Sequence, residues 1–240
     1  IRDRDKKFKA AMMKSIAQSE LDRKRFVYSD IGFILLQQVV EAVTGKTLDA
    51  YLVSEFYRPM GLEHTLFQPL NRYKKADIMP TAANDYLRRQ DLCGYVHDEA
   101  AAFMGGVSGN AGLFSTAQEL GKIYQMILNE GELDGKRYLR PETCRIFTTE
   151  KSAVSHRGLG YDKPNLKDPK ANACASSAPA SVYGHTGFTG TCTWVDPEND
   201  LVYIFLSNRL CPDAWNGKLN SMKLRQAIQE VIYQSLYTPE

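Results

Sequence analysis

The feature that most constrains the fold is a pair of strand-like segments joined by a short turn. In residues 191–195, Cys192 and Trp194 alternate with two threonines and a valine, which is the period of a β-strand. The letters DPEND at 196–200 form a turn cluster. The almost wholly apolar stretch 201–207 predicts a second strand, buried on both faces. The pattern therefore predicts a hairpin within an antiparallel sheet.

Apolar residues at helical spacing predict helices before and after this hairpin. The strongest pattern is that of residues 29–44, which Gly45 ends as a C-terminal cap. The other predicted helices are 5–20, 47–57, 116–130 with Thr116 and Glu119 as a capping box, a short one from Pro141, and 219–236. Residues 70–112 are predicted to be mostly loop, and 162–180 to be a surface loop because Pro, Lys, Ala and Ser dominate there.

This order of elements predicts an α+β fold, with an antiparallel sheet flanked by helices plus a helical region. We expect one domain over 1–240, with the helical region at about 5–150 and the sheet and closing helix at about 151–240.

Composition and charge exclude several classes of protein. The 240 residues are 43% hydrophobic, enough to bury a core, and the net charge of +2 gives no argument for nucleic acid. No apolar run is long enough to span a membrane. The five cysteines are scattered and form no C-x-x-C, which argues against a zinc or redox motif, and their odd number argues against a complete disulfide framework. No metal or cofactor is expected.

Two short segments carry residues suited to acyl transfer by a serine. That reaction needs a base, a cation or donor that shapes the base, and backbone N–H groups for the developing oxyanion. Tyr28 precedes Ser29 and Asp30 at the start of the strongest helix. Ser and Asp at such a position ordinarily cap the helix. The alternative is that Tyr28 and Asp30 point into a cleft, where Tyr28 serves as a base beside positive charge.

The second segment begins at His185. Its side chain supplies charge or a hydrogen bond, the Thr186 hydroxyl suits a substrate carboxylate, and the N–H of Phe188 is a candidate oxyanion donor. Gly187 and Gly190 would permit close approach to the backbone at a sheet edge.

Together these segments resemble the serine β-lactamase and penicillin-binding-protein superfamily, in its class C β-lactamase and esterase branch. That family has the motifs Ser-x-x-Lys, Tyr-x-Asn and Lys-Thr-Gly or His-Thr-Gly. Tyr28-Ser29-Asp30 matches the second motif, with Asp for Asn, and His185-Thr186-Gly187 matches the third. The text TGKTLDAYLVSEFYRPMGLEHTLF and GGVSGNAGLFSTAQELGKIYQMILNEG also resembles this branch, and the resemblance runs from about residue 20 to 236.

Two departures from the family pattern matter. No Ser-x-x-Lys occurs anywhere in the chain, and only 27 residues precede Tyr28. We therefore expect the nucleophile and its lysine in an N-terminal segment that this sequence lacks, in keeping with a start, IRDRDKKF, that suggests an interior cut. The apolar surface left uncovered would favour a dimer, a swapped assembly or pairing with the missing segment. Asp30 also replaces an amide donor by a carboxylate.

Other candidates have simpler explanations. His97, Asp98 and Glu99 are consecutive, so they share no face, and loop hydrogen bonding is favoured over a metal site. His64 and His156 are predicted to be structural or surface residues. Arg209 follows the second strand and could bind a substrate carboxylate bidentately, although a surface ion pair explains it equally well.

The sequence predicts a serine hydrolase that acts on an amide or ester: a β-lactam, a D-amino-acid peptide or a small ester. The alternative is a non-catalytic module that binds wall fragments or a partner domain. The resemblance also implies a periplasmic or otherwise extracytoplasmic location, and allows fusion behind a glycoside hydrolase.

Overall fold

The computed structural model describes residues 2–20, 26–149 and 152–237 of the chain. Its contacts divide the chain into two compact units, each described below by itself. The first unit comprises Ile1–Thr116 and Cys211–Ala214, and the second comprises Ala117–Leu210 and Trp215–Glu240. The single domain expected from the sequence stays a prediction. In the described part of the chain, no helix has the length and apolar character needed to cross a membrane.

In its described residues, the first unit combines four helices with short antiparallel strand pairs. Its helices are α1 Arg2–Gln18, α2 Ile31–Thr44, α3 Leu48–Leu52 and α4 Glu99–Phe103, and its strands are β1 Leu66–Phe67, β2 Pro80–Asp85, β3 Gln90–Cys93 and β4 Leu113–Phe114. Strand β1 pairs with β4, and β2 pairs with β3. A π-helical turn at Val53–Tyr57 continues α3. Three predicted helices are thereby confirmed, and Gly45 ends α2 with φ at +67°, as its freedom from a side chain allows.

The prediction that residues 70–112 are mostly loop was wrong in part. The β2–β3 hairpin and α4 lie within this range. Strand β2 buries Thr81 and Asp85 as well as its alanines, and its pairing with β3 shifts register twice. Polar residues on the buried side and irregular register remove the period-2 alternation that identifies a strand in a sequence.

Within the described part of the chain, the second unit contains two antiparallel sheets. The strands β5 Glu132–Leu133 and β6 Lys136–Arg137 form a pair, and the strands β7 Tyr183–Thr186, β8 Cys192–Asp196 and β9 Leu201–Phe205 form a three-stranded sheet in the order β7-β8-β9. The helices of this unit are α5 Ala117–Leu128, α6 Pro141–Thr149, α7 Lys218–Ser221 and α8 Leu224–Tyr237. The predicted hairpin and the helices at 116–130 and from Pro141 are confirmed. The closing helix at 219–236 is instead two helices, because Lys223 between them adopts a positive φ of 48°.

Helices cover both faces of the three-stranded sheet. On one face, Trp194 and Tyr203 pack with Tyr233 of α8 in the main hydrophobic cluster. On the other face, α5 contacts β9 through Gly121 and Ile204. Every residue of the central strand β8 is buried, whereas β9 buries only its middle residue completely. The strand buried on both faces is therefore the first of the hairpin, and the prediction for 201–207 was wrong because β9 lies at the sheet edge.

The predicted surface loop at 162–180 also contributes to the interior. Cys174 and Ala175 belong to the main hydrophobic cluster, and the N–H of Ala175 donates to Gln229 Oε1 at 2.8 Å. Lys163 is buried, and its Nζ donates to the carbonyl of Thr148 at the end of α6 at 2.6 Å. The segment is irregular but partly buried. Side chains and a helix end form hydrogen bonds with its polar groups, which makes this burial possible.

The two tryptophans of the chain both belong to the second unit. Trp194 is 2% exposed in the sheet, whereas Trp215 is 94% exposed, ahead of α7.

Candidate functional site

The Tyr28-Ser29-Asp30 segment leads directly into α2 in the first unit. The hydroxyl of Ser29 accepts a hydrogen bond from the N–H of Ile31 at 3.2 Å, and the carbonyl of Asp30 accepts from the first turn. The Asp30 side chain makes no capping bond to the helix. The Tyr28 side chain is 56% exposed. Capping therefore explains Ser29 but neither the Tyr28 ring nor the Asp30 carboxylate.

A glycine-rich loop at 105–112 is fixed against the beginning of α2. Gln37, which is buried, accepts from the N–H of Gly109 at 3.1 Å and donates to the carbonyl of Val107 at 3.2 Å. A Cβ at Gly109 would lie 2.1 Å from the carbonyl oxygen of Phe33, so only glycine permits this approach. The loop thus lies within two helical turns of the tyrosine motif. The residues of this loop resemble the family in sequence, but the sequence did not predict their contact with α2.

The segment 97–99 supports the same loop by hydrogen bonding. Asp98 caps α4 by accepting from the N–H of Ala101 at 2.7 Å, and it also accepts from the Asn110 amide at 3.0 Å. Loop hydrogen bonding was the favoured interpretation, and it is confirmed. Within the described ranges, no three His, Cys, Asp or Glu side chains are grouped so as to hold a metal ion.

His185 lies on β7 in the second unit, paired with Thr193 of β8. Directly paired residues share a sheet face, so the half-buried imidazole lies on the α5 side. Its Nδ1 is 2.7 Å from the carbonyl oxygen of Thr186, and its Nε2 is 3.0 Å from Nη1 of Arg157. Arg157 is a residue that sequence reasoning missed. No periodic pattern links it to a position 28 residues away.

The glycines after His185 form the tip of the β7–β8 hairpin. The N–H of Gly187 donates to the carbonyl of Thr191 at 2.7 Å. A Cβ at Gly187 would lie 2.2 Å from the Thr191 hydroxyl, and one at Gly190 would lie 2.6 Å from the Ser207 hydroxyl. These glycines were predicted to permit close approach to the backbone. In the structure, the groups that approach them are side chains of the protein itself.

Two arginines brace this hairpin tip. Arg209 Nε donates to the carbonyl of Phe188 at 2.7 Å, and its guanidinium lies 4.3 Å from the centre of that ring. Arg225 Nη1 donates to the carbonyl of Thr191 at 3.0 Å. Burial and, second, the charge of Arg225 lower the pKa of Arg209. Two guanidinium groups therefore lie at the hairpin tip, and their charge favours an anion there.

The predicted site residues thus belong to both units. Tyr28 and Asp30 lie in the first, and the segment from His185 to Phe188 and Arg209 lie in the second. That the two sets serve one site stays a prediction.

Solved structures share the fold of this chain. A beta-lactamase from Mycobacterium bovis superposes with a TM-score of 0.57 at 20% sequence identity, over 88% of this chain and 64% of its own. An octameric penicillin-binding protein homologue from Pyrococcus abyssi superposes with a TM-score of 0.56 at 18% identity, over 90% of this chain and 47% of its own. The fold is that of the serine β-lactamases and penicillin-binding proteins.

The family model described as Beta-lactamase matches residues 2–221, and the chain belongs to this family. The predicted resemblance is confirmed. An Escherichia coli K12 relative named "Putative D-alanyl-D-alanine carboxypeptidase" is 38% identical over 197 residues, covering 77% of this chain and 45% of the relative. A relative of the same name from Salmonella gallinarum is 32% identical over 227 residues, covering 88% and 52%. The chain spans about half the length of these curated relatives.

Proposed function

We propose that the protein to which this chain belongs cleaves the terminal peptide bond of a D-alanyl-D-alanine peptide by acyl transfer to a serine. The observation that carries the proposal is the presence of both Tyr28-Ser29-Asp30 and His185-Thr186-Gly187 in a chain whose curated relatives bear the carboxypeptidase name. The β-lactams and small esters that the sequence left open are tested as competing substrates.

The residues at the end of β7 suit recognition of a peptide with a free carboxylate. The Thr186 hydroxyl donates to that carboxylate, and the charges of Arg209 and Arg225 favour an anion at the hairpin tip. The N–H of Phe188 serves as one donor to the oxyanion of the tetrahedral intermediate. These roles rest on the position of the hairpin tip and on the charges beside it.

Tyr28 is the proposed general base. A phenol with an ordinary pKa near 10 acts as a base at neutral pH only beside positive charge. The lysine of the family's Ser-x-x-Lys motif is the proposed source of that charge. This chain contains no Ser-x-x-Lys, so the proposed nucleophile lies outside the 240 residues.

The test uses the full-length protein and a peptide that ends in D-Ala-D-Ala. We expect release of one D-alanine per turnover, measured by a coupled D-amino-acid oxidase assay. We also expect a stoichiometric adduct with a β-lactam on one serine outside this chain, identified by intact and peptide mass spectrometry. Hydrolysis of a small ester with no D-alanine release would replace the peptidase proposal by an esterase.

One observation favours a second candidate, a non-catalytic module that binds wall fragments. Asp30 occupies the position where the family keeps an Asn, so an amide donor to a substrate carbonyl is replaced by a carboxylate. This candidate predicts that the full-length protein binds the peptide yet forms no β-lactam adduct. The predicted glycoside hydrolase fusion, the predicted dimer and the extracytoplasmic location stay predictions.

A further inference from the structure

The two ring nitrogens of His185 face groups of opposite hydrogen-bonding character. Nδ1 is 2.7 Å from the carbonyl oxygen of Thr186, which can only accept a hydrogen bond. Nε2 is 3.0 Å from Nη1 of Arg157, and a guanidinium can only donate. The proton must therefore lie on Nδ1, and the lone pair on Nε2 accepts from Arg157. A doubly protonated ring would direct an N–H of His185 at an N–H of Arg157.

Arg157 is itself held in place by groups tied to β7. Its Nη2 lies 3.5 Å from Oδ2 of Asp162, whose side chain is almost fully buried. The main chain of Asp162 pairs in both directions with Gly184, the residue before His185, at 2.7 and 3.0 Å. The other carboxylate oxygen of Asp162 is 2.8 Å from Nε2 of His156. Since Asp162 is bonded to the strand that carries His185, it fixes the distance between the guanidinium and the imidazole.

We infer that Arg157 is a positioning residue for His185, which it holds as a neutral imidazole protonated on Nδ1, while Arg157 itself supplies the permanent positive charge behind the ring. The role of this pair in catalysis rests on the proposed function, but the protonation state does not. Both ring nitrogens are occupied, so His185 transfers no proton in this arrangement. The general base is then left to Tyr28, and the charge of Arg157 does not depend on the ionisation of His185.

The protonation state is tested on the full-length protein labelled with ¹⁵N-histidine at neutral pH. The His185 resonances are assigned by their loss in His185→Gln. We expect a pyrrole-like Nδ1 and a pyridine-like Nε2. A pyrrole-like Nε2, whether alone or together with Nδ1, would overturn the inference, because Arg157 cannot donate to a protonated nitrogen.

Variants then test whether Arg157 causes this state. In Arg157→Met we expect the Nε2 resonance to move toward the protonated position at the same pH, since the donor that excludes a proton is gone. Arg157→Lys keeps a charged donor and is expected to retain part of the wild-type signature. Arg137→Met removes an exposed arginine from the same unit and is the matched control, for which we expect no change. An unchanged spectrum for Arg157→Met would overturn the inference.

Kinetics separate this inference from the proposed function. We expect Arg157→Met to lower kcat/KM for D-alanine release more than tenfold, Arg157→Lys to recover part of the loss, and Arg137→Met to stay within twofold of wild type. Activity of Arg157→Met equal to wild type would refute the catalytic role. If the wild-type protein releases no D-alanine, the proposed function fails, whereas the protonation state measured by NMR stands or falls by itself.

Discussion

The ion pair between Arg88 and Asp85 gives a prediction whose size follows from the structure. The Asp85 side chain has no exposed surface, and its carboxylate accepts from Arg88 Nε and Nη2, each at 2.8 Å. Arg88 also donates to the carbonyls of Val96 and His97, which lead into α4. The guanidinium thus connects the β2–β3 hairpin to the segment that supports the glycine-rich loop. Arg88→Met removes the donor to all three groups.

Hydrogen bonding from Arg88, partly opposed by burial, lowers the pKa of Asp85 from its usual 3.8 to about 2. At 1.36 kcal/mol per unit, the ionised pair contributes about 2 kcal/mol to the stability of the folded state. The unfolded chain binds a proton first as the pH falls, so this stability is present above pH 4 and is lost between about pH 4 and pH 2. Arg88→Met leaves a buried carboxylate unpaired, which costs about 3–5 kcal/mol at neutral pH.

The assay is urea unfolding, monitored by the amide hydrogen exchange of β3. These amides report on the first unit. The control is Arg72→Met in the same unit, whose own side chain and partner Glu63 are 54% and 72% exposed, so that we expect a loss of only about 0–1 kcal/mol. The double variant Asp85→Asn, Arg88→Met removes the buried charge and is expected to recover part of the loss. A cost for Arg88→Met no larger than that of the control would refute the reasoning.

Three further predictions concern the site. In the full-length protein, Tyr28→Phe should lower the acylation rate by about 10²–10⁴ while peptide binding survives; equal rates in stopped-flow measurements would remove Tyr28 from the mechanism. The 240-residue chain alone should form no adduct with a β-lactam or a fluorophosphonate, and a stoichiometric adduct on one of its serines in intact mass spectra would show the nucleophile to be misplaced. Gly184→Ala would bring a Cβ to 2.0 Å from the carbonyl oxygen of Thr193 and 2.7 Å from the Trp194 ring, so we expect a loss of about 1–3 kcal/mol, and thermal unfolding with an unchanged midpoint would contradict it.

Local patterns allowed much of the fold to be predicted from the sequence. The helix α2 combines regular apolar spacing with Gly45 at its end, and both signals act within a few residues. Strand β2 was missed because its buried Asp85 reads as a loop residue until Arg88 is known to pair with it. The stretch 162–180 was predicted to be a surface loop for a similar reason. Its composition does not reveal that the side chain of Gln229 accepts a hydrogen bond from the N–H of Ala175.

For the candidate site, the sequence indicated the residue types but not their partners. His185 was identified from three adjacent letters, and it lies on β7, an edge strand of the sheet. Its contact with Arg157 depends on the pairing of Asp162 with Gly184, which brings two distant parts of the sequence together. Such a tertiary pairing leaves no periodic signal in the sequence. The sequence did not predict that Arg209 and Arg225 both contact the hairpin tip, because Arg225 lies on a helix that follows the sheet.

The placement of the two tryptophans makes intrinsic fluorescence selective for one unit. Trp194, enclosed in the sheet, should emit at short wavelength and resist quenching by iodide, whereas the exposed Trp215 should emit at long wavelength and be quenched readily. Because both belong to the second unit, a red shift of the short-wavelength component reports loss of the sheet that carries His185. The same spectrum contains no tryptophan of the unit that carries Tyr28, so it follows the half of the proposed site that carries His185 by itself during denaturation.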